Sequence, residues 1–337
     1  QLHHSLRMHS PAFVTNLPPA PHPPSDGPAA RRRLRRPRQP AAGMLRRAPR
    51  AAARASPRRP PARRLSSAAQ TYDVVIVGAG VIGASCSLQL ARKGFRTLNV
   101  DKGPAAGSGS TSYSSGNLRS MYTALTSTMF ADEGYHFWQD WQGQLGLSAD
   151  GDGHGLAAYR PTGGGIMHTD ASSAFLEGCY ANHDQLGIPY ERWDVAELTR
   201  RIPVFDPTAY YPPRRIDDPD FGTPSTEHSF YGAGYFPQAG YVSDPMLAAI
   251  NVMTAAKEAG ASYRFNSAVA SIDKSGGRVS GVTLEGGERI SAPIVLNVGG
   301  PHSAQLTEMA FRDSGVENDM NVHTRAMRTE VAWVNTM

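Results

Sequence analysis

Cysteine is nearly absent from this 337-residue chain: Cys86 and Cys179 are the only two. A disulfide scaffold and a CxxC metal or redox motif are thereby excluded. The eleven histidines show no HExxH or other paired-ligand spacing, so no protein-held metal is expected. No uninterrupted apolar run approaches the ~20 residues of a membrane-spanning helix, so no membrane span is expected either. Acids are scarce in one region only. Residues 1–70 hold fifteen Arg, no Lys and a single acid, Asp26, giving +14, whereas the remainder is about −9 and the whole is +5. The basic charge belongs to the leader, and the rest of the chain gives no reason to expect nucleic acid as a partner.

The leader is dominated by Arg, Ala, Pro and Ser, a composition that cannot bury a core. From Met44 it reads "MLRRAPRAAARASPRRPPARRLSSAAQ". Rich in Arg, Ala and Ser and free of acids, that stretch has the profile of an organelle transit peptide, and "RRLSSAA" has the look of a matrix-protease site. A mitochondrial matrix address is the expectation, with a plastid address or a cytoplasmic protein as alternatives. Pro57, Pro60 and Pro61 oppose a long helix there. Both ends read as cut: the first residue is Gln1, and "RTEVAWVNTM" at 328–337 reads as a strand that stops without a turn. The folded part is expected to begin near residue 71.

What is present from there is a buried-strand signature, "YDVVIV" at 72–77, running straight into Gly78-Ala79-Gly80-Val81-Ile82-Gly83. Gly78 permits the tight turn, Gly80 removes the side chain that would block a pyrophosphate, and Gly83 lets helix and strand pack closely. The following helix is expected to bury Ile82, Cys86 and Leu90 and to stop at Gly94, with Cys86 a core residue rather than a nucleophile. Its N-terminus offers free N–H groups and partial positive charge to phosphate. A second strand, "RTLNVD", ends in Asp101, an acid placed for ribose hydroxyls. The turn alone leaves NAD and FAD open.

Further on, "GYVSDPMLAAINVMTAAKEAGA" places Asp244 as an N-cap, Pro245 at the first helical position and Gly260 past the end, with Leu247, Ile250 and Met253 on the buried side. "YRFNSAVASIDKSGGRVSGVTLEGGERISAPIVLNVGGPHS" reads as an antiparallel meander of short strands joined by glycine turns, closing on a strand that runs into Gly299-Gly300. A nicotinamide dehydrogenase leaves this second strand-to-glycine junction unexplained. The aromatics Phe130, Phe137, Trp138 and Trp141 fall at helical spacing and read as packing. Tyr231 and Tyr235 read as core or sheet-edge aromatics, with a phenol for substrate as the alternative. "RRIDDPD" at 214–220 reads as a solvated loop.

The pieces "VGAGVIG", Asp101-Lys102, "GSTSYSSGNLRSMY", "AGYVSDP", "NSAVASI" and "VLNVGGPHS", in this order, resemble the FAD-dependent D-amino-acid oxidase, glycine oxidase and sarcosine oxidase/dehydrogenase family. The resemblance covers residues 72 to about 334. It implies an α/β fold: a Rossmann-like FAD-binding domain interleaved with a mostly antiparallel β substrate domain. The cofactor parts would lie near 71–150 and 240–305, the substrate parts near 151–239 and 306–337, with the domain incomplete. It implies that FAD meets Gly78, Ala79, Gly80, Val81, Ile82 and Gly83. Asp101 and Lys102 would lie at the ribose, Ser110 and Thr111 along the diphosphate and flavin, and Val269 at the adenine. Gly299 and Gly300 would close over the cofactor. Tyr113 stands where some relatives carry a flavin-linked His, so the FAD is expected to be non-covalent with respect to that position. His302 replaces a frequent Trp and has no assigned role.

The activity implied is oxidation of a small amine or amino acid, with hydride passing to flavin N5 and either oxygen or an electron-transfer protein as acceptor. Arg119 in "NLRSMY" reads as a structural Arg paired with the cofactor phosphates or a nearby carboxylate; holding a substrate carboxylate is its alternative, for which it is the best-placed basic residue. Other catalytic residues are not identified. A 2-hydroxyacid or glycerol-phosphate dehydrogenase on the same fold, and a non-catalytic flavoprotein acting as an assembly partner, are the competing functions.

Overall fold

The structure, a computed structural model, describes residues 71–226, 230–318, 320 and 324–327. The leader and the strand expected at 328–337 lie outside the described residues. The elements begin with β1 (Val74–Val77), α1 (Val81–Arg92), β2 (Thr97–Val100), β3 (Asn117–Leu118), α2 (Leu125–Gln139) and α3 (Trp141–Leu145). There follow β4 (Tyr159–Arg160), β5 (Gly164–Thr169), α4 (Asp170–Leu186), β6 (Glu191–Trp193), α5 (Val195–Arg201), β7 (Phe230–Phe236) and β8 (Gly240–Val242). Then come α6 (Pro245–Glu258), β9 (Ser262–Arg264), β10 (Val269–Ser275), β11 (Arg278–Leu284), β12 (Arg289–Ser291), β13 (Ile294–Asn297) and α7 (Ser303–Phe311).

All four residues of β1 and of β2 are buried, because the parallel sheet β13-β1-β2-β9 is covered on both faces. On one face Val75, Val77, Leu98 and Val100 pack against Val282, Leu284, Ile290 and Leu306 of the antiparallel sheet β10-β11-β12 and of α7. The two-residue side-chain period sends Thr97 and Asn99 to the other face, beneath α1. Antiparallel sheets β3-β8-β4 and β5-β7-β6 make up the rest, with α4 laid on β5 and β7 through Leu176, Cys179, Tyr180, Ile166 and Phe236. The chain leaves the parallel sheet after β2 and returns to it at β9. This is an α/β fold, Rossmann-like in its parallel sheet and antiparallel in the interleaved part.

Four sequence expectations are corrected. The buried face of α1 is Gly83, Ala84, Ser87, Leu88 and Ala91; Ile82 is 66% exposed. The buried side of α6 is likewise built from small residues, Ala248, Ala249, Val252, Ala255 and Ala256, while Leu247, Ile250 and Met253 are only half-buried. Both corrections have one cause: α1 and α6 pack on each other, and alanines at the contact let two backbones approach closely. The caps of α6 are as read, with Asp244 accepting from the Leu247 N–H at 2.9 Å, Pro245 at the start and Gly260 at φ 99°. Third, β9 pairs in parallel with β2 instead of joining the antiparallel meander. Fourth, the aromatic run is two helices that break at Asp140. Trp141 stacks on Trp138 at 3.9 Å and meets Phe137 edge-on, but Phe130 is 76% exposed.

Candidate functional site

The site begins where β1 ends. Gly78 holds φ 122°, and a Cβ there would collide with the Val298 carbonyl oxygen; a Cβ on Gly83 would collide with the Gly78 carbonyl. At Gly80 the situation is reversed. A Cβ would meet a single heavy atom within 4 Å, Thr111 Oγ1 at 3.2 Å, so the space over the turn is open. Gly80 is the N-cap of α1 and has no side chain to satisfy the helix's first amides. The Val81 N–H donates instead to Thr111 Oγ1 at 3.2 Å.

Three more tethers fix the turn. Ala79 N–H donates to Asp101 Oδ2 at 2.7 Å, and Gly107 N–H donates to the Ala79 carbonyl at 2.9 Å. Asn99, fully buried on β2, donates through Nδ2 to the carbonyls of Gly78 and Gly83, both at 3.1 Å. Sequence reasoning missed Asn99, although an amide inside an apolar strand was a visible signal. Asp101 also accepts from the Gly103 N–H at 2.7 Å through its other oxygen. Each carboxylate oxygen therefore has one lone pair spent on backbone and one left for a ligand.

The second glycine corner lies beside the first. β13 runs parallel to β1, and Val298 N–H donates to the Val77 carbonyl at 3.1 Å. Gly299 and Gly300 (φ 58°) then lead through a short 3-10 turn, Gly300–His302, into α7. β2 flanks β1 on one side and β13 on the other, so the C-terminal ends of β1 and β13 face a topological switch point, where open α/β sheets receive ligands.

On the β2 side, Ser267 N–H donates to the Asp101 carbonyl at 2.8 Å and Asn266 N–H to that of Gly103 at 2.9 Å. This brings the segment before β10 against Asp101 and the exposed Lys102. Glu285 N–H donates to the Ala268 carbonyl at 2.9 Å, which makes Val269–Leu284 a pair whose own main-chain groups point apart. β10 is the outer strand of its sheet, so the N–H and C=O of Val269 face the sheet's outer edge. Ser110 and Tyr113 are exposed on the loop that carries Thr111.

Arg119 follows that loop and lines a cleft of about 250 Å³ between β3 and α2, with Ser120, Tyr122, Tyr135, Trp138 and Gln238. Its guanidinium lies 5.0 Å from the Tyr122 ring centre, and Nε donates to the Tyr122 hydroxyl at 3.4 Å. Two oxygens of this lining, Ser120 Oγ and Gln238 Oε1, are buried and make no protein hydrogen bond. From behind, Asn182 Nδ2 donates to the Tyr122 carbonyl at 2.9 Å and His183 Nε2 meets the Ser120 carbonyl at 3.2 Å. Burial lowers the His183 pKa, so the ring is neutral and Nε2 is the donor.

The other candidates do not enter this cleft's lining. Tyr231 donates to Asp170 Oδ1 at 2.7 Å, and Tyr235 stacks on Trp193 at 4.3 Å. Burial pushes the Cys179 thiol up to about 11, which makes it inert at neutral pH, and Cys86 is half-buried on α1. Among the described residues no group of three or more His, Cys, Asp or Glu could hold a metal ion, and no helix is long and apolar enough to cross a membrane.

Residues 73–335 match the family of FAD dependent oxidoreductases (DAO). The chain belongs to that family. Among curated relatives of this chain, hydrogen cyanide synthase subunit HcnC of Pseudomonas aeruginosa is 25% identical over 264 residues, covering 72% of this chain and 60% of the relative. Monomeric sarcosine oxidase of Streptomyces avermitilis is 25% identical over 142 residues, 41% of this chain and 34% of the relative. Among solved structures, glycine oxidase from Geobacillus kaustophilus superposes with TM-score 0.54 at 24% identity, covering 71% of this chain and 58% of that one. L-proline dehydrogenase from P. horikoshii gives 0.56 at 19%, covering 72% and 56%. The chain thus spans 60% or less of the length of each of these proteins.

Proposed function

We propose that this oxidoreductase binds FAD across its two glycine corners and oxidises a small amine or amino acid of the sarcosine, glycine or D-amino-acid kind. The observation that carries the reading is the contrast at the first corner: Gly78 and Gly83 are closed in by backbone, while the space over Gly80 is open. An open Gly80 at the positive end of α1 fits a diphosphate. FAD, when bound, supplies the acceptor for a hydride from the carbon beside the substrate nitrogen.

In this reading the amides of Gly80, Ile82 and Gly83 and the hydroxyls of Ser110 and Thr111 hold the diphosphate, while the Ala79 and Val81 amides stay with Asp101 and Thr111 and shape the turn. Asp101 gives its remaining lone pairs to the ribose hydroxyls with Lys102 beside it. Val269 offers its outward main chain to the adenine, and Gly299 and Gly300 close over the cofactor. With Tyr113 in place of an imidazole, no histidyl link forms at that position. Arg119 receives the substrate carboxylate, a charge-assisted pairing that a guanidinium suits.

The test is to titrate the full chain with FAD and then add substrates without oxygen. A saturable shift of the flavin spectrum, bleached by sarcosine, glycine or a D-amino acid, is expected. Binding of NAD with no response to FAD overturns the proposal. Bleaching by 2-hydroxyglutarate but by no amine moves the activity to 2-hydroxyacids. A bound flavin that no small substrate bleaches, in a protein that co-purifies with a larger assembly, replaces catalysis with a partner role. Reoxidation by air, against reoxidation only by an added electron carrier, identifies the acceptor.

For residues 1–70 we propose a mitochondrial address, supported by fifteen Arg against one acid. A reporter fused after residue 70 should be imported and cleaved near the "RRLSSAA" site; a reporter left in the cytosol, or sent to a plastid, rejects that address.

A further inference from the structure

We infer that Asn99 is a positioning residue for the diphosphate turn, setting the direction of its amides from beneath. This rests on the FAD reading above. The amide side chain is fully buried in β2, between Leu98 and Val100, which are both core residues. A leucine or valine would fill such a place with no polar atom. Asn99 instead leaves its Oδ1 buried and without a protein partner, a penalised arrangement. What the amide adds is two N–H donors, and both go to the turn: one to the carbonyl of the first glycine, Gly78, the other to that of the third, Gly83.

A trans peptide group is planar, with its C=O and N–H pointing in opposite directions. The carbonyl of Gly78 and the N–H of Ala79 belong to one such group. Asn99 draws the carbonyl end into the core at 3.1 Å, and Asp101 accepts from the N–H end at 2.7 Å. The group is therefore held at both ends by two residues at the close of the same strand. The Gly83–Ala84 peptide group is held similarly: its carbonyl by Asn99, its N–H by the Gly80 carbonyl at 2.9 Å. With the groups at either side of residues 80–82 fixed, the amides between them have little freedom to tilt away from a ligand over Gly80. Preorganised donors of this kind bind an anion without the cost of ordering them.

The test measures FAD affinity of the full chain by flavin fluorescence, with thermal unfolding of the FAD-free protein alongside. The variants are Asn99→Leu and the isosteric Asn99→Asp, which turns an acceptor toward both carbonyls. Asn251→Leu is the control, since Asn251 is equally buried and tethers Ala157 and Gly155 instead of the turn. Expected is an FAD Kd raised about tenfold or more by either Asn99 change, the loss of one or two directed hydrogen bonds, and raised less than twofold by Asn251→Leu at a comparable fall in Tm. Asn99 variants within twofold of the parent overturn the inference. So does an equal loss in the control, which would make the effect one of general stability. A parent chain that fails to bind FAD at all is a different result, and it counts against the proposed function itself.

Discussion

Thr111 caps helix α1 from thirty positions away: its Oγ1 lies 3.2 Å from the Val81 nitrogen and accepts that helix's first amide proton. The N-cap itself is Gly80, which has nothing to offer that proton. Replacing Thr111 with Val should lower folding stability by about 1 kcal/mol, the usual worth of a capping hydroxyl, while Thr111→Ser keeps most of it. Chemical denaturation of the FAD-free chain checks this; equal stability of all three proteins rejects the capping role.

Gly78 and Gly80 should fail in different ways. Gly78→Ala meets both a φ of 122° and the Val298 carbonyl, so it is expected to destabilise the fold by about 3 kcal/mol or more. Gly80→Ala adds a methyl 3.2 Å from a lone hydroxyl, so the FAD-free protein should stay within about 1 kcal/mol of the parent. The same methyl occupies the space assigned to the diphosphate, so the FAD Kd should rise at least tenfold. Thermal unfolding followed by FAD titration separates the two; if Gly80→Ala binds FAD as the parent does, the diphosphate lies elsewhere.

His183 makes stability depend on pH. Burial depresses its pKa below the ordinary value near 6.5, so over the window just below that value the unfolded chain binds the proton and the folded chain does not. Stability contributed by the neutral ring is complete above about pH 6.5 and declines as pH falls through the window, by up to about 1.4 kcal/mol per pH unit for one proton. His183→Gln can still donate to the Ser120 carbonyl but does not titrate. Urea unfolding between pH 5 and 8 should show a shallower acid-side slope for that variant than for the parent.

Arg119→Met should raise the apparent substrate Kd at least tenfold for a carboxylate substrate while leaving the FAD Kd within about twofold. Rapid-mixing measurements of flavin bleaching against substrate concentration give the first value and fluorescence titration the second. A large fall in FAD affinity instead would make Arg119 a cofactor-side residue, as its structural sequence reading has it.

Local chemistry was legible in the sequence wherever neighbours along the chain decide the outcome. The strand–glycine–helix passage at 72–83 is one case, and the Asp244-Pro245 start and Gly260 stop of α6 are others. The buried faces of α1 and α6 were not legible, because at their contact Ala84, Ala91, Ala248 and Ala255 are covered while the larger Ile82 is exposed and Met253 only half-buried. Size ranks residues by burial only when the neighbour's distance is unknown; two helices in close approach invert the ranking. β9 was misassigned for a related reason, since its partner β2 lies far away in sequence. Thr111 and Asn99 act on the turn from 30 and from 16 to 21 residues away, at separations where no periodicity marks a contact.

The abutment of Gly78 on Val298 also has a consequence for synthesis. The two residues are 220 positions apart, so at about 5–20 residues per second the ribosome releases the first roughly ten to forty seconds before the second. Throughout that interval β1 has no β13 beside it, and its glycine corner stands exposed to chaperones and proteases. If FAD is held across both glycine corners, as proposed, its capture by the nascent polypeptide waits for translation to reach the late strand.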